Sequence, residues 1–277
     1  MIVDGIRTVV REAGPAGDEE AVVFVHGSPG SSADWEALLP AAGAVRRAVA
    51  WDAPGFGQAD RPESFPHTLA AHAAFIGAAL NALGIQRAHL VLHDVGGLWG
   101  LAWAASEPER LASVTLINTG LLLDYRWHLL ARIWRARALG EAFMATTTRP
   151  GFRMLLRRGN PRGLPREFVD RMYGDFDAAT RRAVLRLYRS VDDPAGEAER
   201  VVDVLRGRDV PGLVLWGLHD PYVSPRLAAR QREAFPAARV VLLPDSGHWP
   251  FADDPGRVER ELTAFLRAGR RAPYARV

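Results

Sequence analysis

The segment of this 277-residue chain best suited to chemistry is Val91-Leu92-His93-Asp94-Val95-Gly96-Gly97. An apolar run stops at His93-Asp94 and small residues follow at once, the pattern of a strand that turns sharply into a helix. Such an elbow exposes one side chain at its apex, and the glycines let the new helix approach the strand. The apex is Asp94, so the expected nucleophile is a carboxylate. No Gly-x-Ser-x-Gly occurs, and Gly27-Ser28-Pro29-Gly30 lacks that spacing. Asp94 could instead merely cap the following helix, but the flanking residues agree better with an elbow.

Three further segments complete the chemistry. His26-Gly27-Ser28-Pro29-Gly30 follows a buried apolar run and is placed to offer the Ser28 N–H to an oxyanion, with the Val95 N–H as second donor. Read alone it is only a tight turn. Trp216-Gly217-Leu218-His219-Asp220-Pro221 ends a later apolar run, which makes Asp220 the candidate orienting acid. Asp245-Ser246-Gly247-His248-Trp249-Pro250 puts His248 on a loop after the last such run. Of the eight histidines only His248 combines a loop at a strand end with a preceding candidate acid. Asp220 would hold its tautomer and stabilise the imidazolium.

The elements that must position these groups are legible as continuous apolar runs at 21–25, 48–51, 89–92, 114–117, 213–216 and 240–243. Continuous rather than alternating apolarity predicts strands buried on both faces, as in a parallel sheet covered by helices. Helical stretches separate them: Leu69 to Leu83 before Gly84, Gly97 to Ala105, Pro225 to Phe235 and Val258 to Ala268. The alternation predicts an α/β, doubly wound, mostly parallel sheet. It breaks between Leu121 and Leu205, where helix-period segments such as Arg181 to Arg189 carry the arginines. That stretch reads as a helical cap over the carboxyl ends of the strands. The expected organisation is a core of residues 1–120 and 206–277 with a cap of 121–205.

Composition narrows the function classes. All 35 basic residues are arginine, but 32 acidic residues leave a net charge of only +3, too little for a strong phosphate-binding surface. There is no cysteine, which excludes disulfides, thiol catalysis and zinc–thiolate sites. No apolar run reaches the ~18 residues of a membrane helix, and the first residues lack the basic and apolar regions of a signal peptide. A cytoplasmic location is expected. Gly55-Phe56-Gly57-Gln58-Ala59-Asp60 resembles a dinucleotide motif only superficially, since its third glycine is replaced by Asp60. With no P-loop and no metal-ligand spacing, neither cofactor nor metal is expected.

Together these motifs resemble the epoxide hydrolase and haloalkane dehalogenase branch of the α/β-hydrolases, over nearly the whole chain from His26 to Phe265. An acid followed by a histidine is also the chain order of that superfamily. The resemblance implies an α/β-hydrolase fold with the cap inserted after the sixth strand. It implies attack by Asp94 on an electrophilic sp³ carbon, an alkyl–enzyme ester, and hydrolysis of that ester by water activated at His248. Val95 and Ser28 stand where dehalogenases carry a tryptophan and often an asparagine that grip the halide. Epoxide hydrolases carry two cap tyrosines that protonate the epoxide oxygen. Leu187-Tyr188-Arg189 is similar to the second, making Tyr188 a candidate cap acid. The first is absent from the region 133–143, and Tyr125, Tyr173 and Tyr222 are open as substitutes.

Trp127, Trp134 and Phe143 are expected to contact substrate, with Ile133, Phe152 and Leu155 as further apolar lining. The leading expectation is hydrolysis of an epoxide on a hydrophobic small molecule. Dehalogenation, ester or lactone hydrolysis and a natural-product tailoring step share the same residues, and a non-catalytic binder shares the fold. The expected partners are that small molecule and water, without nucleic acid or membrane; a homodimer is left open.

Overall fold

The computed structural model describes residues 1–271. Among the described residues lie nine strands: β1 Ile2–Val3, β2 Ile6–Arg7, β3 Val10–Ala13, β4 Glu20–Val25, β5 Ala48–Trp51, β6 Arg87–His93, β7 Leu111–Ile117, β8 Gly212–Gly217 and β9 Arg239–Leu243. β1 and β2 pair as a separate antiparallel ribbon, and the other seven form one sheet in the order β3-β5-β4-β6-β7-β8-β9. Only β3 runs antiparallel to its neighbour. β4, β6, β7 and β8 are buried along almost their whole length, as continuous apolarity predicts for strands covered on both faces.

The order matters for function because the chain reverses direction across the sheet at β4. β5 lies on one side of it and β6 on the other, so the loops after β4 and β6 flank a topological switch point, where open α/β sheets bind ligands. The register pairs Val25 with Leu92 and His93 with Ile117. The segments beginning at His26, Asp94 and Asn118 therefore leave the sheet side by side.

The core helices are α1 Leu39–Gly43, α2 Leu69–Ala82, α3 Val95–Ser106, α10 Leu227–Arg230, α11 Pro250–Asp253 and α12 Pro255–Arg271. The helix expected over Pro225 to Phe235 shortens to α10 and a single 3₁₀ turn. Between them come α4 Leu129–Arg135, α5 Leu139–Thr146, α6 Arg149–Arg158, α7 Arg166–Asp175, α8 Ala178–Ser190 and α9 Pro194–Leu205. In α8 the apolar face, including Ala183, Val184, Leu187 and Tyr188, is buried, the expected amphipathic solution for a helix lying on a core. This helical segment leaves the sheet after β7, the fifth strand of the large sheet rather than the sixth. β1 and β2, joined through Asp4 and Gly5 at positive φ, pair only with each other and do not count among its strands. Among the described residues no helix is long and apolar enough to cross a membrane.

Candidate active site

Asp94 sits between β6 and α3 with φ 51° and ψ −131°, a backbone conformation that non-glycine residues rarely adopt. Its neighbours make room for the turn. A Cβ on Gly96 would lie 2.3 Å from the His26 carbonyl oxygen, and one on Gly27 would lie 2.5 Å from Asp94 Cβ. Both contacts are too short for any side chain, so glycine is required where the β4 loop passes the elbow.

The Asp94 carboxylate is divided between two partners. Oδ1 accepts the Ser28 N–H at 2.7 Å, while Oδ2 lies 3.4 Å from His248 Nε2. Burial disfavours the charged carboxylate, but the His248 imidazole and the Ser28 N–H outweigh it and hold the pKa well below the usual carboxylate range. Val95 opens α3, so its N–H is one of the first-turn donors without an acceptor inside the helix.

His248 lies between two acids. Its Nδ1–H donates to Asp220 Oδ2 at 2.8 Å. Burial pulls its pKa down, yet Asp220 and then Asp94 override this and push it up to about 10. Asp220 is itself fully engaged. Oδ1 accepts the N–H groups of Tyr222 and Val223 at 2.8 and 3.0 Å, and Oδ2 also accepts the Asn118 amide at 2.8 Å.

Two residues that sequence reasoning passed over complete this frame. Asn118, just past β7 at φ 47°, takes the Gly217 N–H on its Oδ1 at 2.9 Å, which fixes the face its amide presents to Asp220. The only sequence signal was its position in a turn at a strand end. His93 is buried, and its Nε2–H donates to the His248 carbonyl at 2.8 Å. It is the residue before the apex, where its side chain points away from the cavity.

A cavity joins Asp94, His248 and Ser28 to the helical segment. Trp134, Phe143, Phe152 and Leu155 are on its wall. Tyr188 and Tyr222 line it too, and burial raises both phenols above their ordinary range, so both keep their protons at neutral pH. Tyr222, five residues after the β8 end, packs its ring edge-on to His248 at 4.9 Å. Of the three tyrosines open as substitutes, the structure thus puts Tyr222 on the cavity. Tyr173 instead donates to the Thr147 carbonyl, and Tyr125 packs against Trp127.

Trp127 is a correction: it is not on the cavity wall. Its ring is sandwiched between Tyr125 and Tyr188 under the Arg135 guanidinium, 5.1 Å from the ring centre, and so backs Tyr188 from outside. Ile133, on α4 one residue before Trp134, is likewise turned away from the wall. Trp134 and Ser28 both line the cavity, and the buried Trp134 Nε1 and Ser28 Oγ find no hydrogen-bond partner among the described residues. No group of three or more His, Asp or Glu is arranged to hold a metal among the described residues.

Fold and site define an α/β-hydrolase. The alpha/beta hydrolase fold family matches residues 20–255, and the chain belongs to it as an enzyme. Two relatives are similar over most of their length. The chain is 27% identical over 266 residues to a cis-3-alkyl-4-alkyloxetan-2-one decarboxylase of Shewanella oneidensis, covering 90% of this chain and 83% of that protein. It is 28% identical over 286 residues to the protein of the same name from Xanthomonas campestris pv. campestris, covering 95% and 93%. Among solved structures, a haloalkane dehalogenase from Bradyrhizobium elkanii superposes with a TM-score of 0.86 at 23% identity, covering 99% of this chain and 98% of that one. A second, from Agrobacterium tumefaciens C58, gives 0.82 at 21% identity, covering 96% and 94%. These last two likenesses are of fold.

Proposed function

We propose that this enzyme opens a strained oxygen ring by attack of Asp94, with hydrolysis of an epoxide on a hydrophobic small molecule as the leading reaction. One observation carries the reading. Asp94 offers a cavity-facing oxygen to the substrate while its other oxygen rests on an N–H donor, and two protonated phenols line the same cavity.

In this reaction Oδ2 attacks a ring carbon, the C–O bond breaks, and the departing oxygen takes a proton from Tyr188 or Tyr222. An alkoxide is a poor leaving group, so the acid lowers this barrier. The phenol recovers its proton from water. Oδ1 is now an ester carbonyl oxygen, already resting on the Ser28 N–H. Esterification also removes the negative charge of Asp94 from beside His248, so the imidazole pKa falls and it becomes competent as a base. His248 takes a proton from water, and the hydroxide adds to the ester carbon. The oxyanion on Oδ1 is held by the N–H groups of Ser28 and Val95. Collapse releases the diol, protonated by the imidazolium, and leaves Asp94 as the carboxylic acid; loss of its proton, which neutralises the hydroxide left when water reprotonated the phenol, restores the carboxylate. The apolar wall favours a hydrophobic substrate, with water as the second reactant and no cofactor.

The two relatives that span most of this chain favour a second reading on the same residues. An oxetan-2-one is a four-membered cyclic ester, and its opening at Asp94 followed by loss of carbon dioxide would leave an alkene. Halide displacement has less support, since Val95 and Ser28 replace the halide-gripping residues.

The test is the intact mass of His248→Gln after exposure to epoxides, haloalkanes and cis-3,4-dialkyl-oxetan-2-ones. Without the base, the ester on Asp94 should form and persist. An adduct of a whole epoxide supports the leading reading, an adduct of a whole oxetanone, or its release as carbon dioxide and alkene, the second, and an alkyl group without halide a dehalogenase. Turnover by the parent enzyme with no adduct on the variant contradicts attack by Asp94.

A further inference from the structure

The loop that carries His248 is held from the helical segment as well as from the core. The turn Gly159-Asn160, between α6 and α7, meets it directly. The Gly159 carbonyl accepts the His248 N–H at 3.1 Å, and Asn160 Oδ1 accepts the Trp249 N–H at 3.2 Å. Asn160 is 1% exposed, and its Nδ2 donates to the Leu156 carbonyl at 2.7 Å, so its amide orientation is fixed by the end of α6. The approach is tight. A Cβ on Gly247 would lie 1.6 Å from the Gly159 oxygen, and one on Gly159 would lie 2.8 Å from Pro221, beside Asp220. Outside this contact Arg162 reaches Asp245 at 3.1 Å and Asp254 at 3.2 Å.

Opposite the cap, His93 holds the His248 carbonyl. The peptide group before the catalytic base is therefore clamped by the cap, and the one after it by the cap and the elbow together. The helix ending in the clamp is also a wall of the cavity: Leu156, the acceptor of Asn160, faces the substrate space along with Phe152 and Leu155.

We infer that the Gly159-Asn160 turn is a strut between the cap and the catalytic base, with Asn160 a positioning residue for His248. The inference rests on the reading of Asp94 as nucleophile and His248 as base. Ester formation needs the Asp94 carboxylate, whereas ester hydrolysis needs His248 Nε2 held over the ester carbon. Loosening the strut therefore acts on the second step. A displacement of the base of under ~1 Å is enough to slow it tenfold or more.

The experiment compares Asn160→Ala with Val169→Ala, a buried cap substitution on α7 that leaves the clamp intact, and with Arg162→Gln, which removes only the outer ion pairs. Styrene oxide is the probe, and quenched-flow mass spectrometry follows the ester. For Asn160→Ala the ester should accumulate because its hydrolysis falls about tenfold while its formation changes little. Arg162→Gln should show a smaller shift in the same direction, and Val169→Ala none. Without substrate, the His248 ring signal in the NMR spectrum should titrate closer to ordinary histidine in Asn160→Ala and be unmoved in Val169→Ala. Unchanged partition and an unchanged ring titration in Asn160→Ala overturn the strut. If Asn160→Ala does not fold, the same two readouts on Arg162→Gln decide. Absence of any ester on His248→Gln counts against Asp94, and the ring titration then still decides the strut.

Discussion

Replacing Asp220 by asparagine should separate the two halves of the reaction. The carboxylate accepts four hydrogen bonds: Oδ1 from the Tyr222 and Val223 N–H groups, and Oδ2 from His248 Nδ1–H and the Asn118 amide. Asn118 is not free to flip, because its own oxygen accepts the Gly217 N–H. An amide NH₂ at the Oδ1 position would face two backbone donors, each lost hydrogen bond costing about 1–3 kcal/mol. At the Oδ2 position it faces only the Asn118 donor and can donate to His248 Nδ1, so this orientation is the better one. It forces the imidazole proton onto Nε2, toward Asp94. A histidine in that tautomer cannot take a proton from water, and the equivalent change in a serine protease triad costs ~10⁴ in turnover. Ester hydrolysis in Asp220→Asn should therefore fall by about 10³–10⁴, while ester formation, which needs only the Asp94 carboxylate, falls far less. Rapid quench and intact mass read both rates. Asp220→Asn hydrolysing its ester within a few fold of the parent rate would refute the tautomer argument.

Further expectations follow from the same geometry. Tyr188→Phe and Tyr222→Phe should each slow ring opening, and together by about 10²–10⁴, while halide displacement at the same carboxylate is unaffected; parallel kinetics on an epoxide and a bromoalkane check this. Gly27→Ala puts a methyl 2.7 Å from Asp94 Oδ1 and should abolish ester formation in a folded protein, read by mass and circular dichroism. Glu20, which His89 and Arg46 contact at 2.8 and 2.9 Å, has its pKa lowered to about 2, chiefly by the His89 hydrogen bond and against burial. A depressed carboxylate contributes stability above its unfolded pKa and loses it as pH falls toward the folded one. The parent protein should therefore lose about 1–2 kcal/mol between pH 4.5 and about 2, less than the full shift because the part-exposed carboxylate is screened by solvent, that Glu20→Gln does not lose, measured by urea unfolding across that range.

What the sequence disclosed and what it concealed differ by range. The strands from β4 to β9 were readable because each is a continuous apolar run, and the elbow because strand, apex and glycines are contiguous at 91–97. Asp94, Ser28, Asp220 and His248 were each singled out by a short local motif, and the fold brings Asp94, Ser28 and His248 to one cavity with Asp220 behind the histidine. β1 to β3 were invisible: two-residue strands and the half-polar Val10-Arg11-Glu12-Ala13 carry no period. Asn118, His93 and Asn160 were missed because their partners lie 102, 155 and 89 residues away, and no local pattern announces such a contact. The cap was hardest. Its aromatic residues are spread over five of its six helices and the loops between them, so which side of each faces the cavity depends on tertiary packing. Trp127 and Trp134 are seven residues apart, nearly two helical turns, yet Trp127 precedes α4 and ends behind Tyr188 rather than beside substrate. Tyr222, just after the acid, reaches the cavity from the core, where a search of the cap does not look.

The central claim is that the oxygen delivered to the product comes from Asp94 and not directly from water. A single turnover with enzyme in excess, run in oxygen-18 water on an epoxide that esterifies His248→Gln, tests it most directly. The account predicts unlabelled diol and one heavy oxygen in the peptide that contains Asp94. Heavy oxygen in the diol with that peptide unlabelled would contradict it, and would mean that water attacks the ring itself.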